Sequence, residues 1–303
     1  MRIMDSIKAA IEADNRSQMW VAENAQYVTI MGSHAYGTNV PESDYDIYGF
    51  TMPPRTVLFP FHHGYIYGFS KNVPNFGQYE KKHILSEDGK EIDADIYSIV
   101  KYFALCMENN PNMLDSLFTR NQCVILCTDV GEMVRLNRRA FLHRGSWFKF
   151  KGYAYSQLKK AKSQTRKGKR KEDVEEFGYD RKFAMHIFRL LGEIEQILRH
   201  GDMDLMRDKE ELKYIRAGNY TIDQIETMFR ERESMLEELY HSCDAIPDRP
   251  DVVRIQQLLV DCLEQHFGSL GEVEKQTGGA VGSLIRDVEA VLDRYRRPPG
   301  DSE

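Results

Sequence analysis

The sequence lacks any apolar run near the ~18 residues that a membrane-spanning helix needs, and its mean hydropathy is −0.53. A transmembrane protein is therefore not expected. The first twenty residues, MRIMDSIKAAIEADNRSQMW, carry acids where a signal peptide needs an apolar centre, so secretion is not expected either. Net positive charge is also missing: 41 Lys and Arg stand against 47 Asp and Glu, a formal charge of −6. That excludes a basic footprint spread over the whole chain. With 21 Gly and 10 Pro in 303 residues, collagen-like and low-complexity classes are excluded. The five cysteines form no C-x-x-C pair, and Cys123 and Cys127 have no matching His or Cys pair, so a zinc site is not expected. Reduced thiols in a cytoplasmic protein fit this pattern.

What remains is a folding composition, 42% hydrophobic and 29% charged, long enough for about two domains at ~150 residues each. Ile3, Ile7, Ala10 and Ile11 recur at helical spacing and predict an N-terminal helix. Tyr27 to Met31 is aromatic and β-branched and reads as a strand, as does Asp44 to Phe50. Residues 52–79, rich in Pro, Gly, His and aromatics, read as irregular. A third strand is predicted at Glu91 to Tyr97, a helix over 98–109, a second helix begun by Pro111, and a short strand over Cys123 to Leu126. Beyond about 145 the pattern is helical. Phe183, Ile187, Leu190, Leu191, Ile194 and Leu198 form one stripe, and Thr221-Ile222-Asp223-Gln224 has the form of a capping box. The fold class is α+β, with residues 1–140 mixed, 141–270 helical, and 271–303 a partly flexible C-terminal segment.

The chemistry concentrates in Gly32-Ser33-His34-Ala35-Tyr36-Gly37-Thr38 and the following Ser43-Asp44-Tyr45-Asp46. Asp44 and Asp46 are two apart on a strand and so share a face. Two adjacent carboxylates repel, and a hard divalent cation relieves that repulsion. Gly32 and Ser33 stand at a strand end, where backbone N–H groups and a hydroxyl can cradle a phosphate. A phosphate cradle followed by an acid pair is an arrangement suited to phosphoryl or nucleotidyl transfer. A third carboxylate has two candidates, Asp93 and Asp95, which alternate with Ile92, Ala94 and Ile96 on a strand.

At these residues the chain resembles the DNA polymerase β-like nucleotidyltransferase superfamily. Gly-Ser, a spacer of ten residues and then Asp-x-Asp, as in GSHAYGTNVPESDYDIYGF, is the shared pattern. More narrowly it is similar to the RNA-repair-pathway DNA polymerase β family of bacteria and phage. That similarity includes IYSIVKYF, ENNPNMLDSLF, KFKGYAYSQLKKA, GYDRKFAMHIFRLLGEIEQILRHG and IRAGNY, and spans roughly residues 27 to 265. The resemblance implies a polymerase-β-like catalytic domain followed by a helical domain. It implies transfer of a nucleoside monophosphate from an NTP, such as ATP, to an acceptor hydroxyl, with release of pyrophosphate. Asp44 and Asp46 would hold Mg²⁺ (or Mn²⁺), and the family spacing favours Asp93 over its neighbour Asp95 as the third carboxylate. Gly32, Ser33 and Ser43 would meet the nucleotide. An RNA 3′ end is one acceptor; a small molecule or a protein is another. A non-catalytic nucleic-acid-binding protein of this fold is the alternative outside enzymes.

Lys182, His186, Arg189 and Glu193 form a polar stripe beside the apolar one. Lys182 and Arg189 are candidates for the triphosphate and His186 for the base or ribose; a solvated helix face is the simpler reading. His34 lies in the phosphate turn. Residues 159–171, KKAKSQTRKGKRK, hold eight basic residues and no acid, and are the candidate contact to RNA; a solvated loop is the alternative. The aromatics between Phe59 and Tyr79 could stack on bases or form a core or lid.

Overall fold

The computed structural model describes residues 3–59, 75–163, 165 and 169–269, the side chains of 169 and 170 excepted. The N-terminal half holds helices α1 (Ile3–Asp14) and α2 (Trp20–Glu23), strand β1 (Ala25–Ile30), one-turn helix α3 (Gly32–Ala35), strand β2 (Tyr45–Thr51) and the short α4 (Arg55–Leu58). Strands β3 (Gln78–Leu85) and β4 (Glu91–Ser98), helices α5 (Ile99–Met107) and α6 (Pro111–Phe118), strand β5 (Val124–Cys127) and helix α7 (Asp129–Leu136) follow. The rest is helical: α8 (Ser146–Ala161), α9 (Lys169–Phe177), α10 (Arg181–His200), α11 (Lys209–Arg216), α12 (Ile222–Ser242) and α13 (Val252–Phe267). The fold is α+β. Among the described residues no helix is long and apolar enough to cross a membrane.

The five strands form one mixed sheet in the order β3-β4-β2-β1-β5, with β2 and β4 parallel and the other pairs antiparallel. Alternation decides its faces. Val28, Ile47, Ile92, Ala94 and Ile96 point to one side, where Ile7 and Ile11 of α1 and Val21 of α2 close a small core. Tyr27, Phe50 and Tyr97 point to the other side, into a larger core that continues through α5, α6, α10 and α13. That core has no break between the sheet and the helices, and α13 returns to pack on α5 and α7.

Local signals set the helix ends. Asn110 caps α6, accepting from Asn112 N–H, with Pro111 at its first position. Thr221 and Gln224 make the reciprocal capping box of α12. Gly201, at φ 59°, ends α10 in the left-handed region. One element differs from the sequence reading. Strand β3 begins at Gln78, within the stretch 52–79 whose composition predicts irregular structure, and runs on to Leu85. It is an edge strand whose buried residues Tyr79 and Ile84 are five apart. A register shift between Lys81 and Ile84 breaks the period of two, and the intervening residues are polar. Of the aromatic run, Phe59, Phe76 and Tyr79 are described. Phe76 packs edge-on against Trp20 and Tyr79 is buried. Phe61, Tyr65, Tyr67 and Phe69 lie outside the described residues, as does the C-terminal segment from 270.

Candidate active site

The acid face of the sheet is built by register. In the parallel pairing of β2 and β4, Asp46 lies opposite Asp93 and Tyr48 opposite Asp95. Partners in such a pairing share a face, on strands about 4.8 Å apart. Asp44 sits just before β2, exposed, while Asp46, Asp93 and Asp95 are half-buried. Their neighbours on the opposite face, Ile47, Ile92 and Ala94, are buried in the smaller core, and this fixes which way the acids point.

The turn carrying Gly32 lies directly on this face. Met31 N–H donates to Asp46 O at 2.6 Å, and Gly32 has φ +61°. A Cβ placed on Gly32 would lie 1.8 Å from Asp46 Oδ2, so only glycine leaves room for that carboxylate. Tyr36 N–H donates to Gly32 O and Thr38 N–H to Ser33 O, closing the turn. His34 stacks on Tyr45 with ring centroids 5.1 Å apart.

Burial raises the Asp46 carboxyl above the ordinary range. The charge of Lys182 opposes this, while Asp93 and Asp44 add to it. Lys182, exposed in the first turn of α10, is near enough for its charge to act on Asp46. Asp180 positions it, capping α10 by accepting from the N–H groups of Lys182 and Phe183 at 3.1 and 3.2 Å. Asp95 is pushed up to about 6 by burial and then by Glu80, its register partner on β3. Asp93 is held differently: its Oδ1 accepts from His83 N–H at 3.0 Å. His83 occupies the β3 irregularity at φ 57°, so the break in the edge strand aims a backbone donor at the Asp93 carboxylate.

The remaining sequence candidates have these surroundings. Ser43 Oγ accepts from Val40 N–H at 2.9 Å and serves the turn before β2. His186 is half-buried, one turn along α10 from Lys182. Arg189, a sequence candidate for the triphosphate or for a solvated helix face, is inside the protein, 7% exposed. Its Nη1 donates to Tyr36 OH at 2.9 Å, to both Glu193 oxygens at 3.1 Å and to Asp115 Oδ2. Tyr36 OH in turn donates to Asp115 Oδ2 at 2.7 Å. Asp115 was missed in the sequence, although a charged residue within the buried run Met113 to Phe118 was a signal that it had a partner.

In the basic run, Lys162 pairs with Glu226 and Lys171 with Glu175, while Lys160 lies over the Phe183 ring. Arg166 and Lys167 lie outside the described residues.

Carboxylate oxygens are the donor set of a hard cation. Asp46 and Asp93 fit one in chemistry, since a cation would relieve the repulsion that helps raise Asp46. Among the described residues, however, no three His, Cys, Asp or Glu side chains stand drawn together as a ready cage.

Residues 4–275 match the RNA repair pathway DNA polymerase beta family. The chain is 31% identical over 133 residues to the uncharacterized 38.9 kDa protein of the nrdC-mobD intergenic region of Enterobacteria phage T4. That match covers 43% of this chain and 36% of the phage protein, so the chain spans about a third of the length of this relative. A nucleotidyltransferase-like protein from Exiguobacterium sibiricum 255-15 is similar at 10% identity and a TM-score of 0.28, over 93% of this chain and 91% of that one. The family match covers most of the chain and includes the whole acid face: the chain belongs to the RNA repair pathway DNA polymerase beta family.

Proposed function

We propose that the chain transfers a nucleoside monophosphate from an NTP to an acceptor hydroxyl, releasing pyrophosphate, and that the acceptor is the 3′ end of an RNA. The observation that carries the reading is the register of Asp46 against Asp93 on parallel strands, with Gly32 over the Asp46 carboxylate. This arrangement needs a glycine, two aspartates and a bulge on a third strand to agree. Packing alone requires none of them. The RNA acceptor rests on the family's description.

In this reading Gly32 and Ser33 receive the triphosphate through backbone N–H groups and the Ser33 hydroxyl. Lys182 offsets the negative charge that gathers beside Asp46. Asp44, Asp46 and Asp93 would hold Mg²⁺ or Mn²⁺, with Asp95 beside them. When bound, such a cation supplies charge neutralisation on the triphosphate and lowers the pKa of the acceptor hydroxyl. Asp93, fixed at one oxygen by His83, receives the acceptor's proton at the other. The acceptor oxygen then bonds to the α-phosphorus as the bond to pyrophosphate breaks.

Incubation with α-labelled ATP, Mg²⁺ and in turn RNA, DNA, protein and a small-molecule extract tests the proposal. Label entering RNA at its 3′ end is expected. Label entering only protein or a small molecule would replace the acceptor, and no labelling with any NTP would remove the activity.

A further inference from the structure

A cavity of about 300 Å³ is lined by three arginines: Arg120 from the segment before β5, Arg135 from α7 and Arg138 just after α7. Glu132 and Asp204 line it as well, with Glu132 Oε2 3.8 Å from Arg135 Nη1. Arg135 is fixed by the protein. Its Nη2 donates to Thr119 O and Asn121 Oδ1, both at 3.0 Å, and its guanidinium lies 5.7 Å from the centre of the Tyr27 ring. Its Nε is buried with no hydrogen-bond partner. Arg138 donates to Arg135 O at 3.0 Å and lies over Phe118. Arg120 is exposed; its carbonyl accepts from Cys123 N–H at 2.9 Å, and its guanidinium makes no hydrogen bond or ion pair among the described residues.

Both walls of this cavity touch the turn over the acid cluster through near neighbours. Cys123, two residues past Asn121, reaches His34 O at 4.0 Å. Met206, two residues past Asp204, packs on Gly37, where an added Cβ would come within 2.4 Å of its Cε. Segments that line the cavity thus run on directly into residues that touch the Gly32–Gly37 turn. The cavity's volume equals that of about ten liquid waters, room for a phosphate with an attached sugar. Leu136, 72% exposed at the rim, offers apolar contact for the sugar or base.

We infer that this cavity binds a phosphate group, held by Arg120, Arg135 and Arg138, as a second anion site separate from the one proposed for the triphosphate. Guanidiniums suit phosphate because their N–H groups match its oxygens in pairs. The chain as a whole is acidic, so phosphate is drawn only where cations converge. A free anion and the phosphorylated end of a polynucleotide present the same chemistry.

Calorimetric titration with inorganic phosphate, pyrophosphate and one short single-stranded RNA, with and without a 5′-phosphate, tests this and separates the sources. The proteins are the wild type, Arg120→Gln, Arg138→Gln and Glu132→Gln, each first checked for an unchanged melting temperature. Arg120→Gln removes no side-chain bond of the folded protein, so it remains informative if Arg138→Gln does not fold. Loss of one charge-assisted contact should weaken binding about tenfold. For the RNA it should also lower the salt slope by ~0.7. Glu132→Gln, which removes a carboxylate 3.8 Å from Arg135, should bind more tightly. Weakening for the free anions identifies a free-phosphate site; weakening confined to the phosphorylated RNA identifies a polynucleotide end. Wild-type affinity of Arg120→Gln for every probe, or no binding of any probe by the wild type, would overturn the proposal. Neither outcome depends on turnover at the acid face.

Discussion

The Tyr36 hydroxyl and Arg189 Nη1 lie 2.9 Å apart, joining residues separated by 153 positions in the chain. Tyr36 ends the turn over the acid face, and Arg189 is in the middle of α10. Asp115 on α6 and Glu193 one turn further along α10 complete a buried cluster of one cation, two carboxylates and a phenol. Burial raises both carboxyls, and Arg189 pulls them back. The turn that carries Gly32 and Ser33 is thereby tied to the helix that carries Lys182.

Removing Arg189 leaves two carboxylates without their cation inside the core. Arg189→Met should cost about 3–5 kcal/mol of folding stability. Tyr36→Phe, which removes a hydroxyl donor to Asp115, should cost about 1.5–3 kcal/mol. Urea unfolding measures both. Equal, small losses would show that the cluster is solvated rather than sealed.

Gly32→Ala should disturb the acid face directly. The new methyl meets Asp46 Oδ2, and the residue must hold φ +61°. The strained backbone alone costs of order 1–3 kcal/mol. NTP binding, followed by titration of the purified protein, should weaken markedly in Gly32→Ala. Unchanged binding would mean that the turn does not touch the nucleotide.

Asp95 gives a pH-dependent prediction. Its folded-state pKa, about 6, lies above the ordinary carboxyl value of 3.8. The folded protein therefore binds more protons than the unfolded chain between those values. Stability linked to this group is present at and below pH 3.8 and is lost as the pH rises through 6. Asp95→Asn, measured in metal-free buffer, should be more stable than the wild type at pH 7.5. The advantage should shrink toward pH 4.5. A constant difference across that range would contradict the raised pKa.

Much of this site was legible in the sequence because its parts are local. Asp44 and Asp46, and likewise Asp93 and Asp95, declare their face by alternation with Ile47, Ile92 and Ala94. The polar stripe placed Lys182 on the helix, and in the fold its charge acts on Asp46. What was not legible depends on pairing between distant segments. No local pattern shows that β2 and β4 run parallel with Asp46 beside Asp93. Strand β3 was hidden because its irregularity at His83 breaks the alternation, and that same irregularity supplies the donor to Asp93. Arg189 shared a stripe with Lys182, yet the helix turns it inward to a partner on α6 that spacing on α10 could not reveal.

The most direct test of the account is pyrophosphate release from NTP in the presence of Mg²⁺ and an RNA acceptor, comparing wild type with Asp46→Asn. The substitution is nearly isosteric, and equal melting temperatures would show that both proteins are folded. The account predicts pyrophosphate release and label transfer by the wild type, and loss of both by at least a hundredfold in Asp46→Asn. A folded Asp46→Asn protein that retains activity within a few-fold of the wild type would contradict the acid face as the site of nucleotidyl transfer.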